Sequence, residues 1–176
     1  MTASRSRAHA LTRFLHWTMA AAVFGLLAAV YAKGLFPKGT PLRAGLQSVH
    51  VQPGLVVGLL VLPRLLSRLA LPLPPIEPKP SAAVAGLSHL THMLLYLGML
   101  SLPVLGVLML QYNGKPVDLL GLSLPTLVGE DKGFAKVLKE IHETVGVAVM
   151  WLVGLHIAAA LWHHLVVRDN TLLRMR

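Results

Sequence analysis

The chain has 176 residues, of which 55% are hydrophobic and only 13% are charged, and it contains no cysteine. In a soluble domain about a quarter of the residues are charged, so this composition excludes an ordinary soluble protein. The absence of cysteine excludes disulfides, thiolate metal sites and c-type haem attachment. The net charge of +9 does not indicate a nucleic-acid partner, because basic loops are typical of membrane proteins.

Apolar segments along the chain predict an all-α fold, an integral membrane four-helix bundle that forms one domain over residues 1–176. The first segment is too long for the apolar region of a signal peptide and has no cleavage site before Lys33, so we interpret it as a membrane helix. At about 1.5 Å per residue, four segments are long enough to cross a membrane. They cover about residues 12–33, 46–69, 84–112 and 140–167.

Basic residues predict the orientation of the bundle. With four spans, both termini and the proline-rich linker 71–81 lie on one side, which carries nine Lys/Arg, Arg5 among them, against the two acids Glu77 and Asp169. The other side carries seven Lys/Arg and more acids. The positive-inside rule therefore predicts that both termini are cytoplasmic in a bacterial inner membrane. On the outer side, residues 113–139 are long enough for a small cap, with a short helix expected over 132–140.

Histidines form a ladder on the fourth predicted helix. His142, His156 and His163 are separated by 14 and 7 residues. At about 100° per residue they lie near one stripe of the helix. An imidazole within lipid is costly unless it has a partner, so the other helices should supply partners for this stripe.

Depth in the membrane suggests those partners. His50 matches His142 near the outer face, and His16 matches His156 near the inner face. Each pair joins two different helices, which is the arrangement that bis-histidine ligation of a b-type haem requires. The sequence therefore predicts two haem irons about 20 Å apart along the membrane normal.

Other interpretations of the same residues remain open. A single membrane histidine more often bonds to a neighbouring helix, and zinc would need ligands clustered at short spacing. His89 and His92 form either a metal half-site or surface contacts. Gly54 and Gly58 allow close approach either of a porphyrin or of another helix. His164 lies off the stripe and has no predicted role.

Polar groups beside the two predicted haems suggest redox partners. Protonatable residues at the inner boundary suit a quinone, whose carbonyl oxygens need hydrogen-bond donors and whose reduction needs protons. On the outer side, basic residues either steer an anion or form a solvated loop. The inner set is Lys79, His89, His92, His163 and His164, and the outer set is Lys33, Lys38 and Arg43.

Several short motifs, in this order and spacing, resemble the bacterial dihaem cytochrome b561 family and especially its superoxide-oxidising members. They span nearly the whole chain. The motifs are LHW at His16, GLFPKGTPL, VH at His50, LPPIEPKP, GLSHLTHMLLYLGMLSLPVLG, HETVG at His142, GLHIAAALWHH and RDNTLLRM.

The resemblance implies a membrane dihaem cytochrome b that passes electrons from periplasmic superoxide through two b haems to ubiquinone. It implies that His16 and His156 bind the inner haem and that His50 and His142 bind the outer one. It also implies that ubiquinone binds near Lys79, His92 and His163.

Lipid, ubiquinone and superoxide are then the expected partners, with no obligatory protein partner. Two alternatives remain: a quinol-linked cytochrome that exchanges electrons with a periplasmic protein, and a non-catalytic haem-binding membrane subunit.

Overall fold

A computed structural model describes residues 7–176, so Arg5 of the basic N-terminus lies outside the described residues. The all-α prediction is confirmed, with four long helices in the described part of the chain. A hairpin of two short strands, β1 (Asp118–Leu119) and β2 (Leu122–Ser123), lies between the third and fourth helices. The helices are α1 (Ala10–Gly34), α2 (Pro41–Ala70), α3 (Ala82–Tyr112) and α4 (Lys132–Trp162).

Capping residues determine where three of these helices begin. The side chains of Thr40, Ser81 and Asp131 each accept a hydrogen bond from the backbone N–H three residues later, which satisfies a donor that the first helical turn leaves free. Because Asp131 caps α4, the short helix expected over residues 132–140 is continuous with the fourth membrane helix. At its other end, α4 continues as one π-helical turn, His163–Val167.

Small residues let the helices approach one another. A Cβ on Gly58 would lie 2.9 Å from the Cβ of Pro103 in α3, and a Cβ on Gly98 would overlap the side chain of Val149 in α4. Gly58 therefore serves helix contact, whereas nothing lies within 4 Å of a Cβ on Gly54. α1 packs along α2, α3 packs along α4, and α2 contacts α3 over a shorter stretch.

Two glutamines attach the connection between α3 and α4 to one end of the bundle, which we call the hairpin end. Gln52 donates to the carbonyl oxygen of Asp118 (2.9 Å) and accepts from the N–H of Leu120 (2.9 Å). Gln111, which is buried, donates to the oxygen of Pro125 (2.8 Å) and accepts from the N–H of Leu127 (2.9 Å). Side-chain amides thus replace backbone partners in this irregular segment.

The opposite end, which we call the terminal end, is closed by the last residues of the chain. Asn170 exchanges hydrogen bonds with the backbone of Glu77 (3.0 and 3.2 Å) and donates to the carbonyl of Pro75 (3.1 Å). The N–H of Ala8 donates to the carbonyl of Arg174 (2.9 Å). The C-terminal residues therefore join the start of α1 to the linker between α2 and α3.

Candidate functional site

Two pairs of histidines face each other across the bundle, one near each end. The rings of His16 (α1) and His156 (α4) have centroids 6.2 Å apart, with 79° between their planes. The rings of His50 (α2) and His142 (α4) have centroids 6.2 Å apart, with 75° between their planes. These are the same two pairs that the sequence matched by depth.

The separation of the rings fits one metal ion between them. A bond from a metal to an imidazole nitrogen is about 2 Å long, so two imidazoles on opposite sides of one ion have centroids roughly 6 Å apart. Two imidazole rings that simply pack against each other do not need to keep this distance. Both pairs have it, although different helices supply His16 and His50.

Hydrogen bonding at His50 leaves one ring nitrogen free for a metal. Its Nδ1 lies 3.1 Å from the carbonyl oxygen of Leu26. A carbonyl can only accept, so Nδ1 carries the proton and Nε2 has the free lone pair. Metal-binding histidines are usually oriented by a bond of this kind from the second nitrogen.

The surroundings of His142 also leave it available to a group from outside the chain. Its Nδ1 is buried and faces the backbone of Leu102 without completing a normal hydrogen bond, so Nε2 is the nitrogen left for a metal, as in His50. A Cβ on Gly106 would lie 3.4 Å from the ring carbon Cε1, so the glycine allows α3 to approach this ring.

The two pairs lie at different depths. His142 and His156 are 14 residues apart on α4, which corresponds to about 21 Å along a helix axis. Among residues 7–176 the structure forms no cluster of three or more His, Asp or Glu side chains suited to a metal. The arrangement therefore consists of two separate bis-imidazole pairs.

Comparison with known proteins gives the family. A model of the prokaryotic cytochrome b561 family matches residues 7–176. The chain belongs to this family. It is 35% identical over 162 residues to cytochrome b561 homolog 1 of Escherichia coli (strain K12), covering 92% of each chain.

Two further relatives span similar lengths. The chain is 33% identical over 161 residues to the probable superoxide oxidase CybB of Yersinia pestis, covering 92% of this chain and 90% of that one. It is 30% identical over 169 residues to cytochrome b561 homolog 2 of E. coli (strain K12), covering 91% and 86%. The protein is thus a membrane electron-transfer protein that binds b-type haem, and both imidazole pairs suit that group.

A third histidine of this cytochrome b561 lies beside the pair at the terminal end. The ring of His92 (α3) has its centroid 5.2 Å from that of His156, with 84° between the planes. Its Nδ1 donates to the carbonyl oxygen of Ser88 (2.6 Å), which leaves Nε2 as an acceptor. His92, predicted to contact ubiquinone, is therefore next to the imidazole pair of the terminal end. His89 is exposed.

His163 is held by an aspartate that sequence reasoning did not assign to the site. Its Nδ1 lies 2.5 Å from Oδ2 of Asp169, and the N–H of Thr171 donates to Oδ1 of the same carboxylate (2.8 Å). Burial opposes ionisation of Asp169, but the bonds from His163 and Thr171 outweigh it and lower the pKa of this carboxyl. The only sequence signal was an acid within the basic C-terminal motif RDNTLLRM.

Lys79, the third residue predicted for ubiquinone, is exposed on the linker. Within the described residues it forms no ion pair with the carboxylates near this end. Two residues earlier, Glu77 is hydrogen-bonded to Asn170, which follows Asp169 directly. The C-terminal residues therefore bring the linker of Lys79 and the end of α4 to the same end of the bundle.

Basic residues at the hairpin end line a cavity of about 360 Å³. Lys33 and Arg43 both line it, whereas Lys38 is exposed and outside the lining. Lys33 donates to Oε1 of Gln47 (2.6 Å), and Arg43 donates to the carbonyl oxygens of Lys33 (2.8 Å) and Phe36 (2.7 Å). Gln47, which the sequence did not single out, lies one turn before His50 on α2.

Proposed function

We propose that this cytochrome b561 transfers electrons from superoxide at the hairpin end, through two b-type haems, to ubiquinone at the terminal end. The observation that carries the proposal is the pair of bis-imidazole sites, each with rings 6.2 Å apart, at two depths of one bundle. His16 and His156 would hold one haem, and His50 and His142 the other. Bound there, each haem accepts and passes on one electron at a time.

The proposed reaction consumes protons, and it does so only at the terminal end. Two superoxide anions give two dioxygen molecules and two electrons, and ubiquinone takes up those electrons with two protons to form ubiquinol. Oxidation of superoxide needs no proton, so the hairpin end does not have to supply a proton donor. At the terminal end, His92 and His163 supply imidazole rings, whose nitrogens can form hydrogen bonds with a quinone oxygen.

The charge of the loops supports an orientation. The terminal end carries more Lys/Arg and fewer acids than the hairpin end. We therefore infer that both termini face the cytoplasm and that the hairpin end faces the periplasm of a bacterial inner membrane. Superoxide formed in the periplasm would then meet the end that carries Lys33 and Arg43.

The cavity at the hairpin end supports an anionic substrate. Lys33 and Arg43 place two positive charges at its wall, and charges of one sign along a cleft raise the local concentration of the opposite ion. Gln47 binds the Lys33 ammonium and connects this cavity to the helix turn of His50. One relative of similar length is called a probable superoxide oxidase.

Stopped-flow mixing of the purified oxidised protein with superoxide tests the proposal. We expect haem absorbance to report reduction at a near-diffusional rate, followed by reoxidation only when ubiquinone is present. A variant with His50→Ala serves as the control, because it should lose reduction at the hairpin end. Absence of haem reduction by superoxide would overturn the proposal.

Exposed leucines on the hairpin segment favour a second function, electron exchange with a periplasmic protein. Leu120, Leu122 and Leu127 are 77%, 72% and 70% exposed, and clustered exposed apolar side chains are typical of interaction surfaces. In that case the protein would oxidise quinol and pass electrons outward.

If electrons leave towards a periplasmic protein, the purified chain would reduce little ubiquinone with superoxide, and Leu120→Ser would weaken only the turnover that depends on the partner. A non-catalytic haem-binding subunit would show no turnover with either substrate.

A further inference from the structure

A buried arginine lies at the depth of the histidine pair of the terminal end. Arg64 is in α2, six residues before the helix ends, and is only 9% exposed. Its Nη1 donates to the carbonyl oxygen of Thr12 in α1 (3.2 Å). A guanidinium has five N–H donors and a permanent charge, and a buried charge is costly unless an anion accompanies it.

The described residues supply no carboxylate for Arg64. Between residues 7 and 176 the ion pairs are Lys139–Glu143 at the hairpin end and His163–Asp169 at the terminal end. The terminal end has one other acid, Glu77, which is exposed on the linker. The anion that balances Arg64 must therefore come from outside the chain.

The position of Arg64 indicates which anion this is. Thr12, which its guanidinium contacts, lies one turn before His16 on α1, about 6 Å along the helix axis. A b-type haem has two propionate carboxylates on one edge of its ring, and the planar fork of arginine matches a carboxylate with two parallel hydrogen bonds.

We propose that Arg64 binds a propionate carboxylate of the haem held between His16 and His156, and so raises the reduction potential of that haem. A reduced haem carries one more negative charge than an oxidised one, so a nearby guanidinium stabilises the reduced form. The proposal depends on the inner haem site but not on superoxide or ubiquinone.

A phospholipid phosphate offers similar chemistry and is the rival source of the anion. Arginines that reach lipid headgroups extend along the bundle surface towards the membrane boundary. Arg64 instead bonds to the backbone of α1 and is buried, whereas Arg68, one turn nearer the helix end, is exposed. Burial therefore favours the propionate.

Redox titration of the purified haem protein tests the proposal. In lipid-free detergent, Arg64→Gln should lower the potential of one haem by about 59 mV, equivalent to a tenfold change in its ratio of reduced to oxidised form, and leave the other haem unchanged. Arg64→Lys keeps the charge and should give a smaller shift. Arg68→Gln removes the same charge at an exposed position and serves as the matched control.

Resonance Raman spectra give a second measurement that does not depend on activity. The propionate bending band should shift in Arg64→Gln and in Arg64→Lys, because both lose the two-bond contact. Loss of one haem per chain in Arg64→Gln, with two retained in Arg64→Lys, would also support the contact.

Three outcomes would overturn the proposal. They are unchanged potentials and Raman bands in Arg64→Gln, an equal shift in Arg68→Gln, and a shift that appears only in nanodiscs containing anionic phospholipid. The last result would assign Arg64 to a lipid phosphate.

Discussion

Asp169 is the acid that the fold buries most completely at the terminal end, at 4% exposure. Its bonds with His163 and Thr171 lower the pKa of the carboxyl, so the unfolded chain binds a proton more readily than the folded one. The stabilisation is present above the usual carboxyl pKa of about 4 and is lost as the pH falls below it. Asp169 thus connects the stability of the C-terminal residues to the orientation of His163.

We expect Asp169→Asn to lower the free energy of unfolding at pH 7 by about 1–3 kcal/mol, because a charge-assisted hydrogen bond is lost. Thermal unfolding in detergent, measured by circular dichroism, checks this value. The difference in the free energy of unfolding between Asp169→Asn and the unmodified protein should shrink as the pH falls below about 4. Glu143→Gln, which removes an exposed ion pair with Lys139, should cost less than about 0.5 kcal/mol. Equal effects of the two substitutions would contradict this role.

Lys33 offers a direct test of the basic cavity at the hairpin end. If its ammonium attracts superoxide, Lys33→Gln should slow haem reduction by superoxide by about three- to tenfold at low ionic strength and weaken the dependence on salt. Stopped-flow rates at several salt concentrations measure both effects. Lys38→Gln removes the same charge outside the cavity and should change the rate less than about twofold. Similar slowing in both variants would indicate a diffuse effect of net charge.

The contact between the helices α3 and α4 depends on Gly98. A Cβ at this position would overlap the side chain of Val149, so alanine would force the two helices apart. α4 supplies a histidine to both pairs, and its position against α3 therefore affects both sites.

We expect Gly98→Ala to destabilise the protein by about 1–3 kcal/mol, the usual cost of overpacking. Gly86→Ala in the same helix is the matched control, because nothing lies within 4 Å of a Cβ there and alanine favours helix. Heating while haem absorbance is recorded compares the two variants. A loss of stability in Gly86→Ala as large as that in Gly98→Ala would show that the Val149 contact is not responsible.

The sequence predicts the four membrane helices, for a physical reason. Helices in lipid must form all their own backbone hydrogen bonds, so the length of each apolar segment shows where the chain crosses the membrane. Successive helices run in opposite directions, and this determines the depth of each residue. His16 and His156 are 140 residues apart in the chain, yet depth alone matched them, and the structure brings their rings together.

Contacts that depend on irregular backbone could not be predicted in this way. Asp169 reaches His163 because a π-helical turn and a left-handed Arg168 end α4, and no apolar periodicity marks that turn. In the sequence, Arg64 is one of the nine basic residues on the side of the termini, and its burial depends on how α1 lies against α2. The hairpin and its two glutamine contacts likewise follow from the packing of the loop.

We propose that four histidines form two separate haem sites, and this can be tested by measuring the haem content of the purified protein. The pyridine haemochrome assay should give two b haems per chain for the unmodified protein and for the control His164→Ala. His50→Ala, His142→Ala and the double variant should each retain one haem, as should His16→Ala and His156→Ala. One haem in the unmodified protein, or loss of both haems from the single variants of one pair, would show that the four histidines do not form two separate haem sites.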